Sequence, residues 1–418
     1  MPEKMTMSYE SEIRDTLDRI GRENGHIRSF PYFTACAWQW FDPEQRKTVK
    51  PEVAVLGPGV PGELILAAGA APYYILGGSL KSGAWSEDLV PRDTDPVSRS
   101  VLGFLQDPEG PDYSGTLFIV PVTSDSMRKT AYLLREQGRN VHIVDVPPQR
   151  SDFFAREKWQ AQMIAMTEAV SRHTRTRVTA ARVRSAIETA DCAAKALREF
   201  LSASCGREDL ITGGARLLVQ NSYYYTGDLS RWTAELRRLN EELRSRRKRF
   251  VPGGGSRPGI LLMGSPVYFP NYKIPFLIQD IGLNVLRNID VTTLKDQIRP
   301  VLPGKRRSRD TLIRMAADRW YDQDGSPAYA ANDALYRSVV RCLKQDRIEG
   351  VVYHVLKGQI EYDFELERLE ALFDRYGIPV FRLETDYQYQ DVEQLRIRME
   401  AFSEMLHQNR YREERMAQ

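Results

Sequence analysis

The sequence has few cysteines, no long apolar run and almost no excess of charge of either sign. Its four cysteines stand far apart and form no CxxC pair, which argues against a structural zinc site and a disulfide framework. No run of about 18 apolar residues is present, so no membrane-spanning helix is expected. With 59 basic and 56 acidic residues the net charge is only +3, which argues against nucleic acid as a partner.

What remains is the composition of an ordinary globular protein. The chain has 418 residues, of which 42% are hydrophobic and 28% are charged, close to the averages of folded domains. This length suits two or three domains, each with its own core. The opening segment MPEKMTMSYESEIRDTLDRI is interrupted by acidic residues, unlike a signal peptide. We therefore expect a cytoplasmic protein.

Short apolar runs alternate with helical stretches in two parts of the chain. The first part contains VAVL, PYYIL, TLFIV and NVHIV, and the second contains GILLM, NVLRNI, GVVYHVL and PVFRLET. This alternation is typical of parallel sheets built from βαβ units. The sequence therefore predicts an α/β fold with two Rossmann-like or flavodoxin-like parallel sheets that face a cleft.

The hydrophobic pattern of the sequence changes three times along the chain. Apolar positions at helical spacing dominate the middle of the chain, and Pro252 to Ser256 resembles a flexible linker. The predicted segments are an N-terminal helical segment, 1–50, a first α/β domain, 51–155, a helical region, 156–250, and a second α/β domain, 257–418.

Ligands of parallel sheets collect beyond the carboxyl ends of the strands, so the loops that follow the strands form the candidate site. The first such loop, 57–62, matches GxGxxG, but no acidic residue for a ribose ends the next strand. A tight turn or another anionic ligand therefore competes with a dinucleotide. After the third strand, Ser124 either caps a helix or faces the cleft. Lys357, Glu384 and Asp386 also follow strands, where they bind a ligand or close a turn.

Four motifs in these loops occur together in one known family. They are Pro61-Gly62-Glu63-Leu64, Ser124-Asp125-Ser126-Met127-Arg128, Gly264-Ser265-Pro266, and Leu383-Glu384-Thr385-Asp386-Tyr387 followed by Arg396 to Phe402. In this combination the sequence resembles the subunits of 2-hydroxyacyl-CoA dehydratases and benzoyl-CoA reductases, of the 2-hydroxyglutaryl-CoA dehydratase D-component type. The resemblance covers roughly residues 50–150 and 257–405.

The resemblance implies two α/β domains around a [4Fe–4S] cluster that three cysteines hold, usually in a heterodimer of homologous subunits. An ATP-dependent activator protein supplies a low-potential electron, which turns the acyl-CoA thioester into a ketyl-type radical and lets a hydroxyl leave. Reductases of the family use the same electron on an aromatic ring. The implied setting is anaerobic metabolism.

The sequence departs from this family at the three cluster ligands. The corresponding positions are Asp95, Ser124 and Gly358, and none of them is cysteine. Iron–sulfur clusters need soft thiolate ligands, which two oxygens and a glycine do not replace. We therefore expect no cofactor and no metal in this chain, while the family implies a [4Fe–4S] cluster in a partner subunit.

The resemblance also supplies candidate site residues. Glu63, Ser124 and Asp125 are the candidate catalytic residues, although a carboxylate at a helix N-terminus, such as Glu63, is also stabilising without any catalytic role. The candidate contacts to an acyl-CoA substrate are Arg99, Ser265, Lys357, Glu384 and Asp386.

Three hypotheses for function remain open. The first is a cluster-free subunit that pairs with a homologous cluster-bearing subunit, or with a second copy, and helps to dehydrate or reduce an acyl-CoA. The second is a non-catalytic CoA-ester-binding or scaffold protein. The third is a repurposed enzyme that uses the polar cleft of Asp95, Ser124, Asp125 and Lys357 for chemistry without electron transfer.

Overall fold

The computed structural model describes residues 8–246, 257–293, 299–301, 304 and 306–416, so the predicted linker from Pro252 to Ser256 lies outside the described residues. Three helices precede the first strand: α1 (Tyr9–Asn24), α2 (Pro31–Phe41) and α3 (Pro43–Arg46). The side chain of Ser8 caps α1 by accepting a hydrogen bond from the Ser11 backbone N–H. The apolar side of α1 is buried, which fixes this segment on the body of the protein.

The first sheet consists of four parallel strands in the order β2-β1-β3-β4. Strands β1 and β3 are buried along their whole length, as expected for central strands that helices cover on both faces. The elements of this sheet, in chain order, are β1 (Val53–Leu56), α4 (Gly62–Ala67), β2 (Pro72–Ile75), α5 (Leu80–Ala84), α6 (Pro96–Gln106), β3 (Leu117–Val122), α7 (Asp125–Glu136) and β4 (Asn140–Asp145).

The segment that follows is helical in the part of the chain that the structure describes. It contains α8 (Ala155–His173), α9 (Ala180–Ser204), α10 (Gly213–Asn221), a short 3-10 helix (Ser222–Tyr225) and α11 (Leu229–Ser245). Helix α9 packs against α4 of the first sheet and against α11. Arg182 fixes this contact by donating to the Ala67 carbonyl oxygen at the end of α4, at 2.9 Å.

The second sheet repeats the arrangement of the first, with the order β6-β5-β7-β8 and all strands parallel. Its elements, in chain order, are β5 (Gly259–Gly264), α12 (Lys273–Asp280), β6 (Asn284–Ile289), α13 (Arg309–Gln323), α14 (Asp333–Gln345), β7 (Gly350–Leu356), α15 (Glu361–Arg375), β8 (Val380–Thr385) and α16 (Val392–Met416). All eight predicted strands are present, and the prediction of an α/β fold with two parallel sheets is confirmed.

The two sheets are joined through buried contacts rather than through the chain alone. Helix α13, which lies between β6 and β7 in the sequence, packs against α8 and α9. Trp159 on α8 is buried there and donates its indole N–H to the Ala317 carbonyl oxygen on α13, at 2.7 Å. No helix in the described ranges is both long and apolar enough to cross a membrane.

Each sheet reverses its strand order at one point, which lies between β1 and β3 in the first sheet and between β5 and β7 in the second. Loops diverge at such a point and leave a crevice beyond the carboxyl ends of the strands. The fold therefore provides one crevice in each sheet as a place for a ligand.

Candidate functional site

Loops from both sheets enclose one cavity of about 70 Å³, which we call the cleft. From the first sheet it is lined by the residues after β1 and β3 and by the start of α6. From the second sheet it is lined by the residues after β5 and β7. The polar and glycine residues of this lining are Gly57, Gly59, Asp95, Ser98, Thr123, Ser124, Tyr268, Asp324, Ser326, Gln359, Glu361 and Tyr362.

The three positions that correspond to cluster ligands lie together at the cleft. Asp95 caps α6, because its Oδ1 accepts from the Ser98 backbone N–H at 3.0 Å. Ser124 caps α7 in the same way by accepting from the Met127 backbone N–H at 3.2 Å. Gly358 has a φ of +83°, and a β-carbon built on it would lie 3.6 Å from the Asp95 β-carbon. The fold therefore brings together positions that are more than two hundred residues apart.

The residues at these positions do not fit an iron–sulfur cluster. Asp95 and Ser124 offer hard oxygen atoms, and Gly358 offers no side chain, whereas a cluster requires thiolates. A side chain at position 358 would begin in van der Waals contact with Asp95, since its β-carbon would lie 3.6 Å from the Asp95 β-carbon. Within the described residues, no group of three or more histidine, cysteine, aspartate or glutamate side chains is arranged to hold a metal ion.

The four cysteines lie away from the cleft. Cys36 and Cys342 are buried, Cys192 is exposed and Cys205 is partly buried. The Cys205 thiol donates to the Asp346 carboxylate at 3.1 Å, and burial raises the pKa of this thiol to about 11. None of the four is among the residues that line the cleft.

The glycine-rich loop after β1 forms one wall of the cleft. Gly57 has a φ of +89°, a conformation that side chains other than glycine rarely adopt. A β-carbon on Gly59 would lie 3.0 Å from the Pro121 side chain, so glycine permits the loop after β1 to approach β3 closely. This geometry favours a tight turn that shapes the wall, one of the two interpretations that the sequence left open.

The structure places Glu63 outside the cleft, in a buried ion pair. Its Oε1 accepts from the Arg319 guanidinium at 2.5 Å, and both side chains are almost completely buried. Arg319 also donates to Asp191 on α9. The three residues connect α4, α9 and α13, so this placement favours a structural role for Glu63.

Ser265 is buried and makes two hydrogen bonds to the backbone of β7. Its backbone N–H donates to the His354 carbonyl oxygen at 2.7 Å. Its Oγ accepts from the Leu356 backbone N–H at 2.9 Å. Ser265 therefore holds the end of β5 to the end of β7, while its neighbour Pro266 lines the cleft.

The other candidate residues surround the cleft without lining it. Lys357 is largely exposed and pairs with Asp386 at 3.1 Å, and Glu384 is exposed and pairs with Arg382 at 3.3 Å. Asp125 is fully exposed at the start of α7. Arg99 on α6 donates to the Arg92 carbonyl oxygen at 3.3 Å. Of the candidate residues, the structure brings only Asp95 and Ser124 into the lining, with Gly358 directly behind Asp95.

Sequence reasoning missed two polar residues of the cleft, Gln359 and Glu361. Gln359 donates from Nε2 to Asp95 Oδ1 at 3.3 Å. Glu361 is partly buried at the first position of α15. Burial raises the pKa of the Glu361 carboxyl, and the nearby charges of Asp95 and Asp125 raise it further. The signal that could have found both is their position one to three residues after Gly358, in a loop already assigned to the site.

Two four-stranded parallel sheets, with a cleft lined by loops of both, define an α/β protein of two parallel-sheet domains. Residues 59–406 match the family model of the 2-hydroxyglutaryl-CoA dehydratase D-component, and the chain belongs to this family.

Two relatives are similar to this protein over most of its chain. YjiM of Escherichia coli (strain K12), which carries the name of a dehydratase subunit, is 24% identical over 351 residues, which are 83% of this chain and 89% of YjiM. The (R)-phenyllactyl-CoA dehydratase beta subunit of Clostridium sporogenes is 22% identical over 348 residues, again 83% of this chain and 89% of the relative. The resemblance found in the sequence motifs is thereby confirmed.

Proposed function

We propose that this chain is a subunit of a 2-hydroxyacyl-CoA dehydratase or a related reductase, that it holds no iron–sulfur cluster, and that it pairs with a homologous cluster-bearing subunit. One observation carries the proposal. Positions 95 and 124 line one cleft and position 358 lies directly behind position 95, yet the three present a carboxylate, a hydroxyl and a glycine. A chain with this fold and this donor set keeps the family's site and needs another subunit for its electron chemistry.

The names of the relatives support a partner. Both are named as subunits, and one is the beta subunit of an enzyme that acts on an acyl-CoA. In the proposed complex, the partner subunit carries the [4Fe–4S] cluster and receives the electron from an ATP-dependent activator protein. This chain contributes part of the acyl-CoA pocket.

The charges around the cleft support a particular orientation of the acyl-CoA. Two aspartates, Asp95 and Asp324, line the cleft together with the carboxyl group of Glu361, and the described residues of the lining include no arginine, lysine or histidine. The phosphates of CoA are repelled by such a lining, so the acyl thioester enters the cleft and the phosphates remain outside. Lys357, exposed next to Gly358, and Arg99 on α6 are the proposed contacts for the phosphates.

Reconstitution tests this proposal. The chain, a cluster-bearing homologue from the same genome and its activator are assayed, singly and together, for dehydration of 2-hydroxyacyl-CoA esters. We expect no dehydration by the chain with the activator alone, and a higher turnover or affinity when the chain joins the homologue. Dehydration by the chain and the activator without the homologue would contradict the proposal.

The second hypothesis, a non-catalytic CoA-ester-binding or scaffold protein, gives a different result in the same experiment. The chain would then bind the acyl-CoA, or the homologue, without any change in the turnover of the homologue. A substitution of Lys357 by methionine separates ligand binding from subunit binding, because it should weaken CoA-ester affinity by roughly tenfold or less, as expected for an exposed contact to a phosphate.

A further inference from the structure

Glu361 lines the cleft, and no described residue supplies a cation to its carboxyl group. Its side chain makes no hydrogen bond or ion pair with another residue among those that the structure describes, although it lines the cleft and is partly buried. Burial raises the pKa of its carboxyl, and Asp95 and Asp125 raise it further, so Glu361 holds its proton more strongly than an ordinary glutamate. A protonated carboxyl in a cleft is a hydrogen-bond donor and a general acid.

Asp95 lines the same cleft and, unlike Glu361, is held by hydrogen bonds from other residues. It is 6% exposed, and both of its hydrogen bonds, from Ser98 and from Gln359, reach Oδ1. These two donors fix the orientation of the carboxylate and leave Oδ2 without a hydrogen bond from any described residue. A fixed carboxylate with one free oxygen is suited to accept a proton from a bound ligand.

We propose that Asp95 and Glu361 act as a base and an acid that exchange the proton on the carbon next to the thioester carbonyl of a bound acyl-CoA. This inference rests on the part of the proposed function in which the cleft takes an acyl thioester. It does not depend on a partner subunit, and neither residue was assigned this role from the sequence.

The proposed step balances without an oxidant or a reductant. The C–H bond at C2 breaks and an O–H bond forms on Asp95 Oδ2, while the electron pair of the C–H bond moves into the enolate. Glu361 donates a hydrogen bond, or its proton, to the thioester oxygen, where the negative charge develops. The reverse step returns a proton to C2, and after exchange of Asp95 with solvent the returned proton comes from water.

The different surroundings of Asp95 and Glu361 suit the first to act as the base and the second to act as the acid. Two carboxyl groups of one site act as acid and base when their surroundings favour different protonation states. Here Asp95 Oδ1 accepts from the Ser98 backbone N–H and from the Gln359 side chain, whereas Glu361 has no donor among the described residues other than its own backbone N–H, and Asp95 and Asp125 raise the pKa of its carboxyl.

Deuterium exchange tests the inference directly. The isolated full chain is incubated with butyryl-CoA in D2O, and deuterium at C2 is measured by mass spectrometry. We expect exchange well above that in buffer, and a fall of about 10²–10⁴-fold in Glu361→Gln and in Asp95→Asn. Asparagine preserves the cap of α6, so the second variant changes the base and not the helix.

Two further variants serve as controls. Glu367→Gln changes an exposed glutamate on the same helix and should leave exchange unchanged. Glu361→Asp keeps the acid and should retain more exchange than Glu361→Gln, which a purely structural role would not predict.

Butyryl-CoA binding, measured by calorimetry on the same samples, separates this inference from the proposed function. Binding with exchange no faster than in buffer, or equal exchange in wild type and Glu361→Gln, would overturn the acid–base roles and leave the proposed function intact. Absence of binding would overturn both the acid–base roles and the proposed acyl-thioester site.

Discussion

Two glutamates occupy similar places in the two halves of the molecule and have opposite surroundings. Glu63 lies in the first turn of α4, after β1, and Glu361 lies in the first turn of α15, after β7. Glu63 is buried against Arg319, whereas Glu361 faces the cleft without a cation. The comparison teaches that position after a strand does not decide the role of a carboxylate. The cation that reaches it from a distant segment decides the role.

The physical reason is the cost of a buried charge. A helix N-terminus favours a carboxylate by roughly 0.3–1 kcal/mol, which is far less than the cost of removing an ion from water. Glu63 therefore requires Arg319, which lies 256 residues further along the chain. Glu361 remains partly hydrated in the cleft and keeps its proton more strongly, so it needs no cation.

The largest effect is expected when Glu63, the buried glutamate of the two, loses its cation Arg319. Arg319→Met leaves Glu63 as a buried carboxylate without its cation and removes one partner of Asp191, and we expect a loss of about 3–5 kcal/mol in the free energy of unfolding. Urea denaturation measures it. Arg368→Met, which breaks the exposed pair with Asp333, is the control and should cost at most about 1 kcal/mol. Equal losses in both variants would contradict the distinction.

A smaller loss of stability is expected when Ser265, which does not line the cleft, is substituted. Ser265→Ala leaves the buried Leu356 backbone N–H without its acceptor, which we expect to cost about 1–3 kcal/mol in urea denaturation. Affinity of the folded protein for an acyl-CoA should change little, because Ser265 does not line the cleft. A variant with unchanged stability and lost binding would instead make Ser265 a ligand contact.

The smallest expected effect is a pH-dependent change in stability caused by Glu361, the glutamate in the cleft. Because the pKa of Glu361 is raised in the folded chain, folding favours the protonated carboxyl, and wild-type protein loses stability as the pH rises above the ordinary glutamate value of 4.5. Glu361→Gln does not ionise, so it should unfold with a free energy close to that of wild type at about pH 4 and with a higher one at about pH 8.

Denaturation curves of the two proteins at both pH values measure this difference. Asp95 and Asp125 face Glu361 and are present in both proteins, so their own titration largely cancels in the comparison. Lower stability of Glu361→Gln at the higher pH would show that the Glu361 carboxylate has a stabilising partner.

Most of the fold could be predicted from the sequence. Each of the eight strands is a short apolar run next to polar or glycine-rich turns, and burial of both sheet faces makes such runs continuous. The helix caps at Asp95 and Ser124 could also be predicted, because hydroxyl and carboxylate side chains before a helix accept hydrogen bonds from its first N–H groups. The strand order within each sheet was not accessible, since it depends on how the crossovers pack.

The candidate site was accessible only in part, for a physical reason. The family resemblance placed Asp95, Ser124 and Gly358 near one another, because these positions correspond to the three cysteines that hold one cluster in the family. The pairing of Glu63 with Arg319 and the bonds that occupy Ser265 come from tertiary packing, which no local pattern contains. A glutamate at the start of a helix is common, so the sequence did not single out Glu361 as a site residue. What distinguishes it is that no described residue supplies a cation to its carboxyl group in the cleft.

The central claim is that this family member holds no iron–sulfur cluster and depends on a partner subunit that does. Iron and sulfide content, with the visible absorption spectrum, measured after anaerobic purification of the chain alone and with a cluster-bearing homologue, tests it most directly. We predict iron only in the sample that contains the homologue. About four irons per chain in the isolated protein would contradict the assignment of Asp95, Ser124 and Gly358 as the former ligand positions.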